Sequence, residues 1–347
     1  MTPTAPTLAP PVHDPTAPTA PGASVQEGRA VDVSVLVPAK DEAENLPLFM
    51  EQAAAAFAAD PGVRYEVVVV DDGSDDDTWD VLQQLARQYP FLRMARHRAR
   101  RGIADGLRTG YLHARGDTLV FYPADLQFRP EDIPRLVAPI LAGDSDMVTG
   151  YKQGKYEKAF VSGIYNWLSR TLFDVRVKDL NNVKAYRREI MAGLPIRPDW
   201  HRYMIVIAAA QGYSVSEIPV PLYPRHAGRS KFGIGRIPVG VLDMLSVWFE
   251  LRFGRKPLLL FGMLGAGLFA LGVLLGIGAL IWLAATGYGV RWVWTFVTTC
   301  VIVGVVLFVG GLLGELIAGM RAELAELRRE LDESRAARAV RPPDGSR

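Results

Sequence analysis

The sequence predicts an α/β fold, a mainly parallel, Rossmann-like sheet followed by two membrane-spanning helices, and three observations carry that prediction. Short apolar runs alternate with helix-patterned stretches from Val31 to about Thr149, as in a chain of βα units. One of these runs empties directly into the acidic, glycine-containing turn Asp71-Asp72-Gly73-Ser74. Late in the chain, no charged residue occurs from Pro257 to Val290, and none again from Trp292 to Gly314.

Residues 1–30 are rich in Pro, Thr and Ala and lack the apolar stretch of a secretory signal, so they predict a disordered tail. A polyproline segment that binds a partner is the alternative. Strands are expected at Val33 to Val37, Tyr65 to Val70, Leu92 to Arg96, Thr118 to Tyr122 and Asp146 to Thr149. Helices fill the gaps, one after Asp41 running to Ala58 and others over Asp76 to Gln88, Ile103 to Ala114 and Pro130 to Leu141. Asp and Asn at their starts and Pro or Gly beyond their ends agree with ordinary capping. In such sheets ligands bind beyond the carboxyl ends of the strands.

Residues 151–255 are less periodic and rich in aromatic and basic side chains. They read as a continuation that closes over the site, giving one domain over residues 31–233. Ile234 to Phe253 mixes Ile, Val, Leu, Trp and Phe with Arg236 and Arg252, with Arg255 just beyond, which predicts an interfacial amphipathic helix in region 234–256. Each uncharged run that follows exceeds the ~20 residues a bilayer core requires, so residues 257–319 read as two transmembrane helices; a buried soluble hairpin is the alternative. Arg252, Arg255 and Lys256 precede the first span, and Arg321, Arg328 and Arg329 follow the second. The positive-inside rule then places the catalytic domain and both termini in the cytoplasm, in an inner-membrane protein. In the C-terminal part, 320–347, and just before it, Leu313, Ile317, Met320, Leu324, Leu327 and Leu331 follow a heptad, which predicts a homo-oligomer. A solvated helical tail is the alternative.

Composition narrows the function classes. The 347 residues suffice for one large domain and an accessory region. A net charge of +2 argues against a nucleic-acid partner. The single cysteine, Cys300, excludes an intramolecular disulfide and fits a reducing compartment.

Chemistry concentrates at the strand ends. "VVVVDDGSDDDTWD" places carboxylates and a tight turn after an apolar strand, where they can face a nucleobase or ribose, or simply cap the next helix. Together with the preceding "VSVLVPAKDEAENL", it resembles the family 2 inverting glycosyltransferases of GT-A fold. In that family the first strand ends in Pro-Ala-x-x-Glu, matched by Pro38, Ala39 and Glu42, and the second in Asp-Asp-Gly-Ser. A third element, "LVFYPADLQFRPEDIP", stands where the family usually has Asp-x-Asp. Asp125 is retained, Gln127 follows two residues on, and Pro123 replaces the first Asp. The resemblance implies a divalent cation, Mg²⁺ or Mn²⁺, held by Asp125 and the Gln127 amide oxygen, with substrate phosphates supplying the other ligands.

The fourth element, "EIPVPLYPRHAGRSKFG", is similar to the Arg-x-x-Gly-x-Ser-Lys-Phe segment of the polyprenyl phosphate sugar synthases, through Arg225, Gly228, Ser230, Lys231 and Phe232. Guanidinium and ammonium groups suit an acceptor phosphate, although a basic juxtamembrane stretch drawn to anionic lipids needs only charge. Two weaker matches follow. "VKDLNNVKAYRRE" carries Asp179, Lys184 and Arg187, with Asn182 and Lys184 where Gly and Arg are usual. "RHRARRGIADGLRTG" offers Arg100 or Arg101 and Gly102 to a diphosphate, or is a solvated basic loop.

The resemblance implies donor contacts from Pro38, Ala39, Glu42, Asp71, Asp72, Gly73, Arg101, Ala124, Asp125 and Lys184, and acceptor-phosphate contacts from Arg225, Ser230 and Lys231. Catalytic roles fall to Asp125, Asp179, Arg225 and Lys231. The implied reaction is inverting transfer of a hexose from a GDP-mannose or UDP-glucose type donor to polyprenyl phosphate. A processive polysaccharide synthase is disfavoured, since the chain has no Gln-x-x-Arg-Trp motif. Pro123 motivates the remaining alternative, an inactive membrane-anchored nucleotide-sugar-binding protein.

Overall fold

The computed structural model describes residues 31–153, 173, 177, 180, 182–194, 200–226, 237–254 and 256–340, with backbone alone at 200, 237–239, 325, 328, 329 and 331–340. The tail 1–30 and the positions of Asp179, Gly228, Ser230, Lys231, Phe232 and Ile234 lie outside the described residues.

Strands β1 (Val33–Ala39) and β2 (Tyr65–Asp71) form the centre of the sheet and are buried along nearly their whole length. Their sequences, VSVLVPA and YEVVVVD, are rich in β-branched residues and nearly continuous in apolar character, as a strand covered on both faces requires. With β3 (Leu92–Arg96), β4 (Thr118–Phe121), β5 (Met147–Gln153), β6 (Lys184–Arg187) and β7 (Val215–Pro221) they form a seven-stranded sheet of order β3-β2-β1-β4-β6-β5-β7. β1, β2, β3 and β4 run parallel; β6 lies antiparallel between β4 and β5, and β7 runs parallel to β5. The fifth strand extends to Gln153 because Gly150–Gln153 find partners in Ile218–Pro221 of β7.

Helices α1 (Leu46–Ala58), α2 (Thr78–Gln88), α3 (Ile103–His113) and α4 (Ile133–Leu141) supply the crossovers, and α5 (Arg188–Gly193) and α6 (Met204–Ala210) follow β6. On α2, Thr78, Leu82 and Leu85 are the buried residues, an i, i+4, i+7 stripe facing the core. The strand period divides the core: Val33, Val35, Val37, Val67 and Val69 pack with Phe49 and Leu136, while Leu36, Val68, Leu119 and Tyr186 pack with Leu107 and Ile205 on the other side.

Helix α7 (Ile237–Phe253) differs from the expected amphipathic form. Met244 and Val247 are buried in the second core, while Leu242, Leu245 and Leu251 face outward. It is therefore apolar on two sides, one spent on the domain and the other exposed. The Tyr203 hydroxyl donates to the Gly240 carbonyl at 3.0 Å and fixes this docking.

Two helices, α8 (Pro257–Thr286) and α9 (Arg291–Val340), are long and apolar enough to cross a membrane. They meet through glycines, as spans without a hydrophobic driving force between them do. A Cβ on Gly265 would lie 2.6 Å from the Gly304 carbonyl oxygen, and one on Gly314 2.8 Å from the Pro257 Cβ. Gly287, at φ 73°, ends α8. At the opposite end of the pair, the Leu258 amide donates to the Glu315 carboxylate at 3.2 Å. Arg321 of α9 pairs with Glu250 of α7 at 3.2 Å, and Phe249 packs on Phe261 with ring centroids 5.7 Å apart.

Candidate active site

The carboxyl ends of β1, β2 and β4 open on one edge of the sheet, and the residues there divide into scaffold and open groups. Asp71 is fully buried. Its Oδ1 accepts the Ser74 amide at 2.9 Å, and its Oδ2 lies 3.0 Å from Arg96 Nε in an ion pair. Asp72 is committed at both oxygens: it accepts the amides of Arg101 and Gly102 at 2.8 and 2.7 Å, and His97 Nδ1 lies 2.8 Å from it. The other nitrogen of His97 meets the Thr109 hydroxyl at 2.8 Å, tying the loop to α3. These carboxylates thus hold loop 97–102 over the β2 turn. Gly73 permits the contact, with φ +66° and a position at which a Cβ would lie 2.7 Å from the Ala99 carbonyl carbon.

The first strand end is similarly braced. The Ala39 carbonyl accepts the Asp72 amide at 2.8 Å, and Pro38 packs against Gly106 of α3. The Glu42 amide donates to the Thr78 hydroxyl at 2.9 Å, and its carboxylate accepts from Asn45 at 2.6 Å. Lys40 donates to the Gly73 carbonyl at 2.8 Å and to Asp75 at 2.6 Å; the Asp75 carboxylate, with Asp41 at 3.1 Å adding to it, holds its pKa above the ordinary lysine value.

Between this turn and loop 97–102 lies a cleft of about 690 Å³ lined by Lys40, Arg96, Arg98 and Arg100, with Asp75, His97 and the Gly73–Ser74 turn. Four cations around one acidic side chain suit a diphosphate. Of these, Lys40, Arg96, His97 and Arg98 escaped the sequence reading; a lysine inside the first strand-end motif was the available signal. Arg101 is exposed, and its amide rather than its side chain is what Asp72 holds.

The third strand end is built differently. After β4 the chain turns sharply through Leu126, which adopts φ 57°, a conformation costly for a branched side chain and often found where function demands it. Ala124 beside it is buried. Asp125 Oδ1 accepts the Gln127 amide at 3.2 Å, and Oδ2 lies 3.3 Å from the Arg225 guanidinium. The Gln127 carbonyl accepts the Tyr223 amide at 2.9 Å, and Arg129 stacks over the Tyr223 ring at 3.9 Å. The segment leaving β7 is thereby sewn to the β4 turn, and it is this seam that delivers Arg225 to Asp125. Burial pushes the Asp125 carboxyl above the usual aspartate range, with Arg225 and the Gln127 amide pulling the other way.

Lys184 sits on β6, fully buried. Its ammonium donates to the Asn182 carbonyl at 2.9 Å and lies 5.6 Å from the Phe121 ring centre. Burial, with Lys184 and Arg202 adding to it, drives neighbouring His201 down to about 3, so that histidine is neutral. Lys184, fully buried, is not among the residues that line the cleft. Asp179, Ser230 and Lys231 lie outside the described residues.

Among the described residues no cluster of three His, Cys, Asp or Glu could cage a metal. The donors present suit a cation that arrives with phosphates: one poorly solvated carboxylate, Asp125, with Gln127 beside it.

Comparison with known proteins agrees with this geometry. Residues 34–192 match the family described as Glycosyl transferase family 2. The dodecaprenyl-phosphate galacturonate synthase of Rhizobium johnstonii is 28% identical over 300 residues, covering 84% of this chain and 88% of the relative. The dolichol-phosphate mannosyltransferase of Pyrococcus furiosus is 34% identical over 211 residues, 57% of this chain and 58% of that protein. Among solved structures, glucosyl-3-phosphoglycerate synthase from Mycobacterium tuberculosis aligns with a TM-score of 0.50 at 20% identity, covering 63% of this chain and 80% of that one. That likeness speaks to the fold alone. With the strand-end motifs and the sheet order already in place, residues 34–192 are a family 2 glycosyltransferase domain of GT-A fold, and the protein is a glycosyltransferase.

Proposed function

We propose that the protein transfers a sugar from a nucleotide-sugar to polyprenyl phosphate, with inversion, at the cytoplasmic face of the inner membrane. The observation that carries this reading is the approach of Arg225 to Asp125 at 3.3 Å. It joins a donor-side strand end to the basic segment that leads toward the helices long enough to span a bilayer.

The nucleoside diphosphate lies in the cleft of Lys40, Arg96, Arg98 and Arg100. A divalent cation, Mg²⁺ or Mn²⁺, bound at Asp125 and Gln127 supplies Lewis-acid stabilisation of the departing diphosphate. Arg225, with Ser230 and Lys231 of the same motif, holds the acceptor phosphate. A phosphate monoester loses its second proton near pH 6, so the nucleophile is already mostly dianionic and needs no strong base. The protein's task is to hold two mutually repelling anions in line, and cations do that. Asp179 orients groups around the reacting centre.

The relatives support the acceptor class. Their names specify dodecaprenyl phosphate, dolichol phosphate and undecaprenyl phosphate, the last in a 4-deoxy-4-formamido-L-arabinose transferase of Pseudomonas savastanoi that is 29% identical over 84% of this chain and 87% of its own length. The sugars in those names differ, so the donor is the finer question, and GDP-mannose and UDP-glucose head the candidates. The test is incubation of the purified full chain with polyprenyl phosphate, Mg²⁺ or Mn²⁺, and a panel of radiolabelled nucleotide-sugars that includes uronic and amino-sugar donors. Lipid-linked product from one donor, lost with chelator, is the expected result. No product from any donor, with nucleotide-sugar still bound, would establish the inactive binding protein instead.

A further inference from the structure

We propose that Glu250 and Arg321 are positioning residues: their ion pair locks α7, and the catalytic domain docked on it, in one attitude over the membrane spans, so that the acceptor-holding segment meets a phosphate at the lipid surface. That role presupposes the polyprenyl phosphate acceptor proposed above.

The candidate span of α9 covers Arg291–Leu324. Its uncharged part ends at Gly314, and Glu315, Arg321 and Glu323 follow. Ionisable side chains within a span are costly unless they meet partners, and such partners mark working parts of a membrane protein. Glu315 accepts the Leu258 amide at 3.2 Å and closes the end of the helix pair. Arg321 reaches a different element: its guanidinium lies 3.2 Å from the Glu250 carboxylate on α7. With Arg321 56% and Glu250 31% exposed, the contact sits at the rim of the span. An arginine there has the alternative of extending its head among lipid phosphates, and the test below separates the two.

Helix α7 belongs to both halves of the protein. Met244 and Val247 are buried in the domain core, and the Gly240 carbonyl accepts the Tyr203 hydroxyl at 3.0 Å. Glu250 follows Val247 by three residues, so one helical turn carries both the grip on the domain and the grip on α9. Residues 254–256 join α7 to α8. At that corner Phe249 packs on Phe261, and Phe253 lies 5.8 Å from Phe249 between ring centroids. Ring packing closes the corner to α8. The Arg321 contact ties the same helix to α9, and two attachments fix an attitude that one hinge does not.

Chain length carries this to the site. Arg225, 3.3 Å from Asp125, stands twelve residues before Ile237, where α7 begins, and Ser230 and Lys231 lie between them in the sequence. Twelve residues span at most about 40 Å when fully extended. One end is pinned at the β4 turn and the other by α7. The approach of this segment to the bilayer is therefore set by α7, and the attitude of α7 by Glu250 and Arg321.

The test uses the full chain in lipid vesicles that hold undecaprenyl phosphate, with the donor that supports transfer. Arg321→Gln and Glu250→Gln should each raise KM for the embedded acceptor about threefold. Arg321→Glu or Glu250→Arg should raise it about tenfold through like-charge contact, with kcat and the donor KM unchanged. Glu250→Arg together with Arg321→Glu should return it to within about twofold of wild type. Geranyl phosphate, a short acceptor that arrives from water, should show the wild-type KM with every variant. An embedded-acceptor KM that does not move, a donor KM that moves with it, or a reversed pair no better than Arg321→Glu alone would each overturn the proposal. The last is what an arginine serving only lipid phosphates predicts. Hydrogen exchange gives a reading that needs no transfer: the amides of Met244 to Phe253 should exchange about tenfold faster in the single reversals and at the wild-type rate in the reversed pair. A chain inactive with every donor but showing that pattern would keep the lock and lose the acceptor role, whereas unchanged exchange would remove the lock itself.

Discussion

The carboxylates at the end of β2 and the one at the end of β4 occupy equivalent places in the sheet and live under opposite conditions. Asp72 accepts two backbone amides and meets an imidazole, so that its oxygens are committed inside the protein, while Asp71 beside it accepts one amide and forms an ion pair with Arg96 at 3.0 Å. Asp125 has one amide and one guanidinium at 3.3 Å, and what burial takes from its charged form exceeds what these return. The difference teaches that an acidic strand end is not by itself a binding group. A carboxylate surrounded by fixed donors organises the chain, whereas one left short of compensation is stabilised by whatever cation the substrate brings.

The largest effect that would break this contrast is expected at Asp125. Asp125→Asn should lower kcat for lipid-linked product about 10³-fold or more while leaving Tm unchanged or higher. A variant that keeps a tenth of the activity would place the reactive carboxylate elsewhere. The stability curve sharpens the same point. Because the folded pKa of Asp125 lies above the ordinary value, the folded chain binds that proton more tightly than the unfolded one. Wild-type stability should therefore decline as pH rises from the ordinary aspartate range to the raised value and then level off, and the Asn variant should lack that decline.

Next in size, Arg225→Gln should cost roughly 10²-fold in kcat/KM. It should also move the acid limb of the pH–rate profile to higher pH, since Arg225 is the group that pulls the Asp125 pKa down; a limb that stays or moves lower contradicts the pairing. On the scaffold side, Asp72→Asn cannot accept the amides of Arg101 and Gly102 at both positions and should cost ~1–3 kcal/mol in urea unfolding. The donor KM should rise and kcat change little. Smallest of the four, Gly73→Ala should cost ~1–2 kcal/mol for the left-handed backbone and the encroachment on Ala99, with the loop rather than the chemistry disturbed.

How far these roles were legible in the sequence follows from how local their causes are. Strands β1 to β4 read correctly because a strand covered on both faces must be a short apolar run, whatever surrounds it. β6 did not, being four residues long with Lys184 inside it, and β7, VSEIPVP, carries two prolines that suggest a loop. Both owe their existence to neighbours in the sheet. The commitment of Asp72 was equally hidden, because it depends on loop 97–102 folding back over Gly73, a contact between distant parts of the chain. Motif order alone placed Asp125 and Arg225 in one site, and the Gln127–Tyr223 bond is the physical link that no spacing rule contains. The outward apolar side of α7 was visible in its composition, but its grip on the core through Met244 and Val247 was not.

The bond between Glu315 and the Leu258 amide bears on how the chain is made. The first turn of a helix presents amides that its own backbone cannot satisfy, and in hydrocarbon such a group is costly. The acceptor for Leu258, Glu315, stands 57 residues further along the chain, after the second hydrophobic run. The leading helix is therefore completed by the trailing one, through a bond that joins the ends of the pair. A polypeptide interrupted at the Gly287 bend would carry a first span with an unfinished end.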